Sequence, residues 1–290
     1  MKKNSLLLTI AVLLLSCNTN DTIASDNDEE LPKKESKFNF VFMTDLHLNN
    51  QNNNCFDWFD KSIEKAKADK ADFILTGGDN VDIDGLKDYQ TADQLYGRFA
   101  KAIEKSKTPF YVTVGNHDRF WGVAKDDPLY NEGLFEKHLN KNYYSFDHKG
   151  WHFIVLNSSN SVVDDKQKLW LRSDLSKLDR KTPIIVSVHV PFLSVYYPTL
   201  EGRYTSQDTF SNFKEIWDMF ENKNLKLVLQ GHMHLYEEIK VKGVQFITGG
   251  SLSANWWSGP YHGTESGYLL VTLSDNDFSW EYKSIGWKKN

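Results

Sequence analysis

Short unbroken apolar runs alternate along the chain with longer stretches in which apolar residues return at every third or fourth position. The first run, residues 38–43, reads as a buried strand. Phe59, Ile63 and Ala66 then give the apolar side of a helix over residues 56–69, and residues 72–76 form a second strand. Leu95, Phe99, Ala102 and Ile103 mark a second helix, which returns the chain to a strand at 109–114. The pattern predicts β-α-β-α-β with parallel strands. Further strands are expected at 151–157, 183–188 and 225–229, with helices at 167–178 and 212–220. Residues 244–248, 268–273 and 278–284 alternate like antiparallel strands joined by hairpin turns. Between 192 and 210 lies a loop rich in Tyr and Ser, about 19 residues long, which is more than a plain connection needs and makes a candidate lid or substrate wall.

Each early run stops at residues that can do chemistry. The first ends in Thr44, Asp45, Leu46, His47, the second in Gly77, Gly78, Asp79, Asn80, Val81, Asp82, and the third in Gly115, Asn116, His117, Asp118. His189 ends a later strand, and Gln230, Gly231, His232, Met233, His234 end another. Extended backbone would put Asp45 with His47, and His232 with His234, on one face. Strand C-terminal edges are where α/β folds hold their sites. A set of imidazoles, carboxylates and one amide, without a thiolate, suits Zn, Mn or Fe better than Ca or Mg. These donors are too many for one ion and enough for two that share a carboxylate.

Composition narrows the partners. The 290 residues carry 34 Lys and Arg against 39 Asp and Glu, a net charge of −5, with no long basic cluster, so nucleic acid is not an expected partner. At the N-terminus Lys2 and Lys3 precede an apolar stretch at 6–15, too short for a membrane span and typical of a secretion signal. Leu14, Leu15, Ser16, Cys17 resembles the lipobox of bacterial lipoproteins, which implies cleavage before Cys17 and lipidation of that residue; the alternative is an ordinary secreted protein. We therefore expect a signal at residues 1–17, a polar tether at 18–36 and one domain at 37–290, lipid-anchored in the bacterial cell envelope. With Cys17 lipidated, Cys55 is the remaining thiol, expected as a small buried hydrophobe.

Taken together, Asp45-x-His47, Gly78-Asp79, Gly115-Asn116-His117-Asp118, His189 with Pro191, and Gly231-His232-x-His234 resemble the five blocks of the calcineurin-like metallophosphoesterases, in the family's order. The resemblance implies a four-layer α/β/β/α sandwich of two mixed sheets, with a dinuclear metal site at the strand C-terminal ends. It implies two divalent ions, one held by Asp45, His47, Asp79 and His234, the other by Asp79, Asn116, His189 and His232. A hydroxide between the ions would attack phosphorus in line, and His117 would protonate the leaving alkoxide.

Two departures bear on the branch. Three residues after Asp79, purple acid phosphatases carry a metal-binding Tyr and protein phosphatases an Asp that orients the catalytic histidine; here stands Asp82, expected to pair with His117 as a second catalytic residue. Protein phosphatases follow that Asp with an Arg-Gly that grips a phosphomonoester, where this chain has Ile83 and Asp84. Arg119 and Arg203 are candidate substitutes, each equally readable as a surface arginine. The pattern resembles the cyclic-nucleotide phosphodiesterase-like and general bacterial branch more closely.

Candidate substrate contacts include Phe120 and Trp121 after the catalytic block, Tyr196, Tyr197 and Tyr204 in the long loop, and Trp256, Trp257 and Tyr261 near the end, where stacking on a base or sugar competes with a core or rim role. His138, His148 and His152 match no block and read as surface or core residues; His262, among the late aromatics, could reach substrate. The expected function is hydrolysis of a small phosphorylated substrate, with a phosphodiester favoured over a monoester. The competing class is a non-catalytic lipoprotein that binds phosphorylated or nucleotide-like ligands at the same metal site.

Overall fold

The computed structural model describes residues 37–51, 54–139, 141–203, 209–275 and 277–288. The signal stretch with Cys17, the tether and Tyr204 lie outside the described residues. In chain order the elements are β1 (Phe38–Met43), α1 (Cys55–Ala68), β2 (Ala71–Thr76), α2 (Tyr89–Ser106), β3 (Phe110–Val112), α3 (Gly133–Leu139), β4 (Tyr144–His148) and β5 (Trp151–Val155). There follow α4 (Asp165–Ser176), β6 (Pro183–Val188), α5 (Tyr196–Leu200), α6 (Phe213–Met219), β7 (Asn224–Gln230), β8 (Tyr236–Val241), β9 (Val244–Gly249), β10 (Gly267–Leu273) and β11 (Phe278–Ser284).

The strands form two mixed sheets, ordered β11-β10-β1-β2-β3 and β4-β5-β6-β7-β9-β8. In the first, β1 runs parallel to β2 and β2 to β3, while β10 lies antiparallel against β1. In the second, β5, β6, β7 and β9 are parallel, with β4 and β8 antiparallel at the edges. Alternation along each central strand feeds two cores at once. Phe38, Phe40 and Phe42 of β1 meet Leu227 and Leu229 of β7 between the sheets, whereas Val41 and Met43 point to the helices over the first sheet. Leu225 and Val228 face the opposite way, toward α4 and α6. The result is helices, sheet, sheet, helices, as the resemblance implied. Each fully buried Phe or Leu contributes about 1.5–3 kcal/mol, so the inter-sheet layer alone holds the strand ends in a fixed relation.

Helix α1 buries Phe56, Phe59, Ile63 and Ala66 on one stripe. Helix α2 starts where the Asp88 carboxylate accepts from the Thr91 amide at 2.8 Å, and α4 where Asp164 accepts from Gln167 at 2.7 Å. Cys55 is buried. Among the described residues no helix is long and apolar enough to cross a membrane.

Candidate metal centre

The strand ends turn rather than continue. Asp45 and His47 have φ of 53° and 45°, Asp79 51°, and His232 and His234 73° and 56°. Extended alternation is therefore not what brings Asp45 to His47 or His232 to His234: β1 ends at Met43 and β7 at Gln230, and left-handed turns aim the side chains inward. Each such residue costs roughly 1 kcal/mol or more. Cross-links between the turns hold them there. The Asp45 amide donates to Gly78 O (3.0 Å), His47 N to Asp79 O (2.9 Å) and Gly231 N to His189 O (3.1 Å). The Asp45 carboxylate accepts from the His232 amide at 3.1 Å and from the Thr44 hydroxyl at 2.7 Å.

At the centre Asp45, His47 and His234 converge, as do Asp79, His189 and His232 and, overlapping both, His47, Asp79 and His117. His47 Nε2 lies 3.7 Å and His189 Nε2 3.1 Å from Asp79 Oδ2, so Asp79 stands between the two groups. Asn116 Oδ1 is 3.1 Å from His189 Nε2. The outer nitrogens of three imidazoles are already engaged: His47 Nδ1 by Asp82 (2.6 Å), His189 Nδ1 by Gly77 O (2.8 Å) and His234 Nδ1 by Ala254 O (2.5 Å). With Nδ1–H donated outward, each Nε2 presents its lone pair inward, the arrangement that metal-binding imidazoles need. His47 Nε2 and His234 Nε2 lie 2.9 Å apart, close enough for a proton to bridge them or for one cation to take both.

Charge leads to the same conclusion. Burial opposes ionisation of Asp79, yet the imidazoles of His189, His117 and His47 hold its carboxyl well below the usual range. Burial lowers His189 and the carboxylates of Asp79 and Asp45 overcome it, raising the imidazole to about 9; His47 is likewise raised, burial being outweighed by Asp82 and Asp79. Burial depresses His232 and His234 to about 4, leaving them neutral. The buried carboxylates thus demand positive charge, which the site takes up as protons without cations and exchanges for metal when cations bind. Donor set, tautomers and charge fit two divalent ions sharing Asp79.

His117 differs from the others. Its backbone N–H donates to Asp79 Oδ1 at 2.8 Å, and its ring meets His47 edge-on at 5.0 Å. The expected pairing with Asp82 is not what the structure shows. Asp82 Oδ1 binds His47, and Asp84 Oδ1 takes His117 Nδ1 at 2.9 Å. Backbone pairing explains the exchange: the Asp82 amide donates to Leu48 O (3.0 Å), on the β1 side, whereas Ile83 N reaches His117 O (3.1 Å) and carries Asp84 toward that ring. Burial lowers the His117 pKa, and the bond to Asp84 with the charge of Asp79 reverses it to about 10.

Asp118 stands outside these donor groups. Fully buried, it accepts from the amides of Asn80 (3.0 Å), Val81 (3.0 Å) and Gly115 (2.8 Å) and from Asn80 Nδ2, locking the Asp79 turn to the Asn116-His117 turn. Gly115 permits the contact: a Cβ there would lie 2.1 Å from Asp79 N and 2.2 Å from Asp79 Oδ1.

The rim residues divide. Arg119 is nearly buried and turned to Asn131 Oδ1 (2.5 Å), Ser159 O (3.3 Å) and Glu132, with Trp121 under its guanidinium. Arg203 lies on Tyr197 and pairs with Glu201. Trp256 reaches the cluster, with its ring 4.0 Å from that of His234, and Tyr196 and His262 stand beside Tyr261 in the same wall. His138, His148 and His152 bind Asp93, Asp72 and the pair Asp147 and Asp174, away from the site. Unforeseen is the strap after β9: Ser251 Oγ and Ser253 N donate to Asp45 O, and Trp257 Nε1 to Leu46 O and His47 O. The signal for it was present, since Gly249 and Gly250 end an apolar strand as the other site turns do.

A family model described as calcineurin-like phosphoesterase matches residues 38–236. Similar proteins include purple acid phosphatase 22 of Arabidopsis thaliana, 28% identical over 63% of this chain and 43% of that protein. A probable cyclic nucleotide phosphodiesterase of Psychrobacter sp. is 27% identical over 66% of this chain and 55% of its own length. The chain thus spans about half the length of the curated relatives it matches. Among solved structures, a dimetal phosphatase from Danio rerio superposes with a TM-score of 0.62 at 12% identity, over 86% of this chain and 96% of that one, and shares the fold.

Proposed function

The chain belongs to the calcineurin-like phosphoesterase family, and from that premise we propose that it hydrolyses a phosphodiester in the bacterial cell envelope. The observation that carries the diester reading is the charge around the metal centre. Asp82 and Asp84 add two carboxylates at its edge, and Arg119, the nearest arginine in sequence to the cluster, is spent on Asn131, Ser159 and Glu132. A monoester arrives as a dianion and needs a cationic grip on its non-bridging oxygens; a diester arrives with one charge and does not.

Asp45, His47, Asp79 and His234 would hold one ion, and Asp79, Asn116, His189 and His232 the other. Two divalent ions in that donor set supply Lewis acidity, neutralising phosphate charge and making water a nucleophile near neutral pH. The rest falls to the chain. Asp84 fixes the His117 ring through Nδ1, so Nε2 carries the proton that passes to the leaving oxygen as its bond to phosphorus breaks, and the attacking water makes good that proton. Asp82 orients His47, while the Gly77 and Ala254 carbonyls orient His189 and His234. The anchoring part of the proposal is supported by the apolar stretch at 6–15 and by Leu14-Leu15-Ser16-Cys17.

Hydrolysis of bis(p-nitrophenyl) phosphate beside p-nitrophenyl phosphate, by Mn²⁺-loaded protein, tests the reading. A kcat/KM at least about ten-fold higher for the diester is expected, with a loss of about a thousand-fold in Asp79→Asn. Preference for the monoester would replace the proposal with a phosphatase.

A further inference from the structure

One indole at the edge of the metal centre is not explained by packing. Trp256 is 44% exposed, while its neighbour Trp257 is 3% exposed and anchored through Nε1 to the carbonyls of Leu46 and His47. Both stand in left-handed backbone, with φ of 45° and 61°, a conformation that ring residues seldom adopt. Bonds from Trp257 N to Ser253 O (2.8 Å) and from Asn255 N to Gly259 O (3.0 Å) hold the turn. Its effect is to send one tryptophan inward and leave the other on the rim.

The exposed ring is fixed against the site. It stacks on His234 with centroids 4.0 Å apart at 27° and lies 5.5 Å from His47. Tyr261 buttresses it edge-on at 5.9 Å and 88°, and is itself stacked on Tyr196 of α5. The Tyr196 and Tyr261 hydroxyls bond each other at 2.6 Å and that of Tyr196 also meets His262 Nε2 at 3.3 Å, so both hydroxyls have partners within the wall. A sugar would call on such hydroxyls; a flat ring would not. Trp256 and His117 both lie against His47, with ring centroids 5.5 Å and 5.0 Å away. The free surface is therefore one imidazole away from the proton donor.

Resting on the phosphodiester reading, we infer that Trp256 is a specificity-determining platform on which the substrate stacks a nucleobase carried beside the scissile phosphate. Base stacking on an aromatic side chain is sequence-tolerant, so the platform selects nucleotides as a class rather than one base. Trp256 touches substrate and takes no part in bond breaking.

Calorimetric binding to the full-length, Mn²⁺-loaded protein tests this without turnover, using adenosine 5′-monophosphate and ribose 5-phosphate, which differ by the base alone. Wild type should bind the nucleotide about ten-fold or more tightly than the sugar phosphate. Trp256→Ala should bring that ratio close to one, and Trp256→Phe should keep most of it. Because each variant is compared with its own sugar phosphate affinity, a general loss of folding or metal does not imitate the result. Equal affinities in wild type, or an unchanged ratio in Trp256→Ala, would overturn the platform even if diesters are hydrolysed. Conversely, base discrimination in a protein that turns over no diester would keep the platform and sink the hydrolytic reading. Wild type that binds neither ligand would overturn the platform and leave the hydrolytic reading to the diester assay.

Discussion

At the scale of single residues, two carboxylates two positions apart do separate work. Asp82 supports the His47 ring and Asp84 the His117 ring, so their replacements should fail differently. Asp84→Asn is expected to lower kcat on the diester about ten-fold while the bound metal stays near wild type. Asp82→Asn should instead weaken metal affinity about ten- to a hundred-fold, with kcat recovering as Mn²⁺ is added. Metal content by elemental analysis, measured beside kcat, separates the two; equal behaviour of the variants would mean that the two rings share one function. The resemblance to protein phosphatases implies Asp82 for His117, and at this level it misleads, because the choice is made by which neighbour each backbone amide bonds, Leu48 or His117.

Elements position the site through their ends. The close approach of the β3 turn to the β2 turn at Gly115 leaves no room for a methyl group, so Gly115→Ala should displace Asp79, the shared ligand, and abolish metal-dependent activity while the far-ultraviolet spectrum stays folded. Retained activity would show that the two turns can separate. Central strands were legible because burial on both faces writes an apolar run: β1 and β6 fall at the residues expected. Edge strand β11 was legible from its alternation, but several short or exposed elements were not. Edge strand β8, Tyr-Glu-Glu-Ile-Lys-Val, is largely exposed, β4 alternates over five residues, and α3 and α5 are too short to show a period. The five blocks were visible because every one of them follows an apolar run, whereas the strap at Ser251 has the same setting without a metal-ligand type to mark it.

Across the whole molecule, stability should depend on pH through His152, far from the metals. Its ring on β5 bridges Asp147 of β4 (2.6 Å) and Asp174 of α4 (2.9 Å). Burial lowers its pKa, and the bonds to Asp174 and Asp147 more than restore it, so the folded value lies above the ordinary 6.5. A raised histidine contributes stability that is complete below pH 6.5 and is lost as pH rises through the folded value. His152→Gln should therefore cost about 1–2 kcal/mol in acid, less above neutrality, and flatten the decline of the urea midpoint with pH. An identical pH profile in the variant would place the dependence elsewhere.

The partner of β1 on one side is β10, Phe38 opposite Leu273, and the strap that closes over Asp45 comes just before it. On a ribosome adding roughly 5–20 residues per second, the first strand waits on the order of ten seconds or more for that partner. Until then its edge is bare and the turn bearing Asp45 and His47 has no roof. Such long-range pairing slows folding. It also means that a chain grown only as far as the family's five blocks lacks the bonds from Ser251, Ser253 and Trp257 that hold the Asp45 and His47 turn.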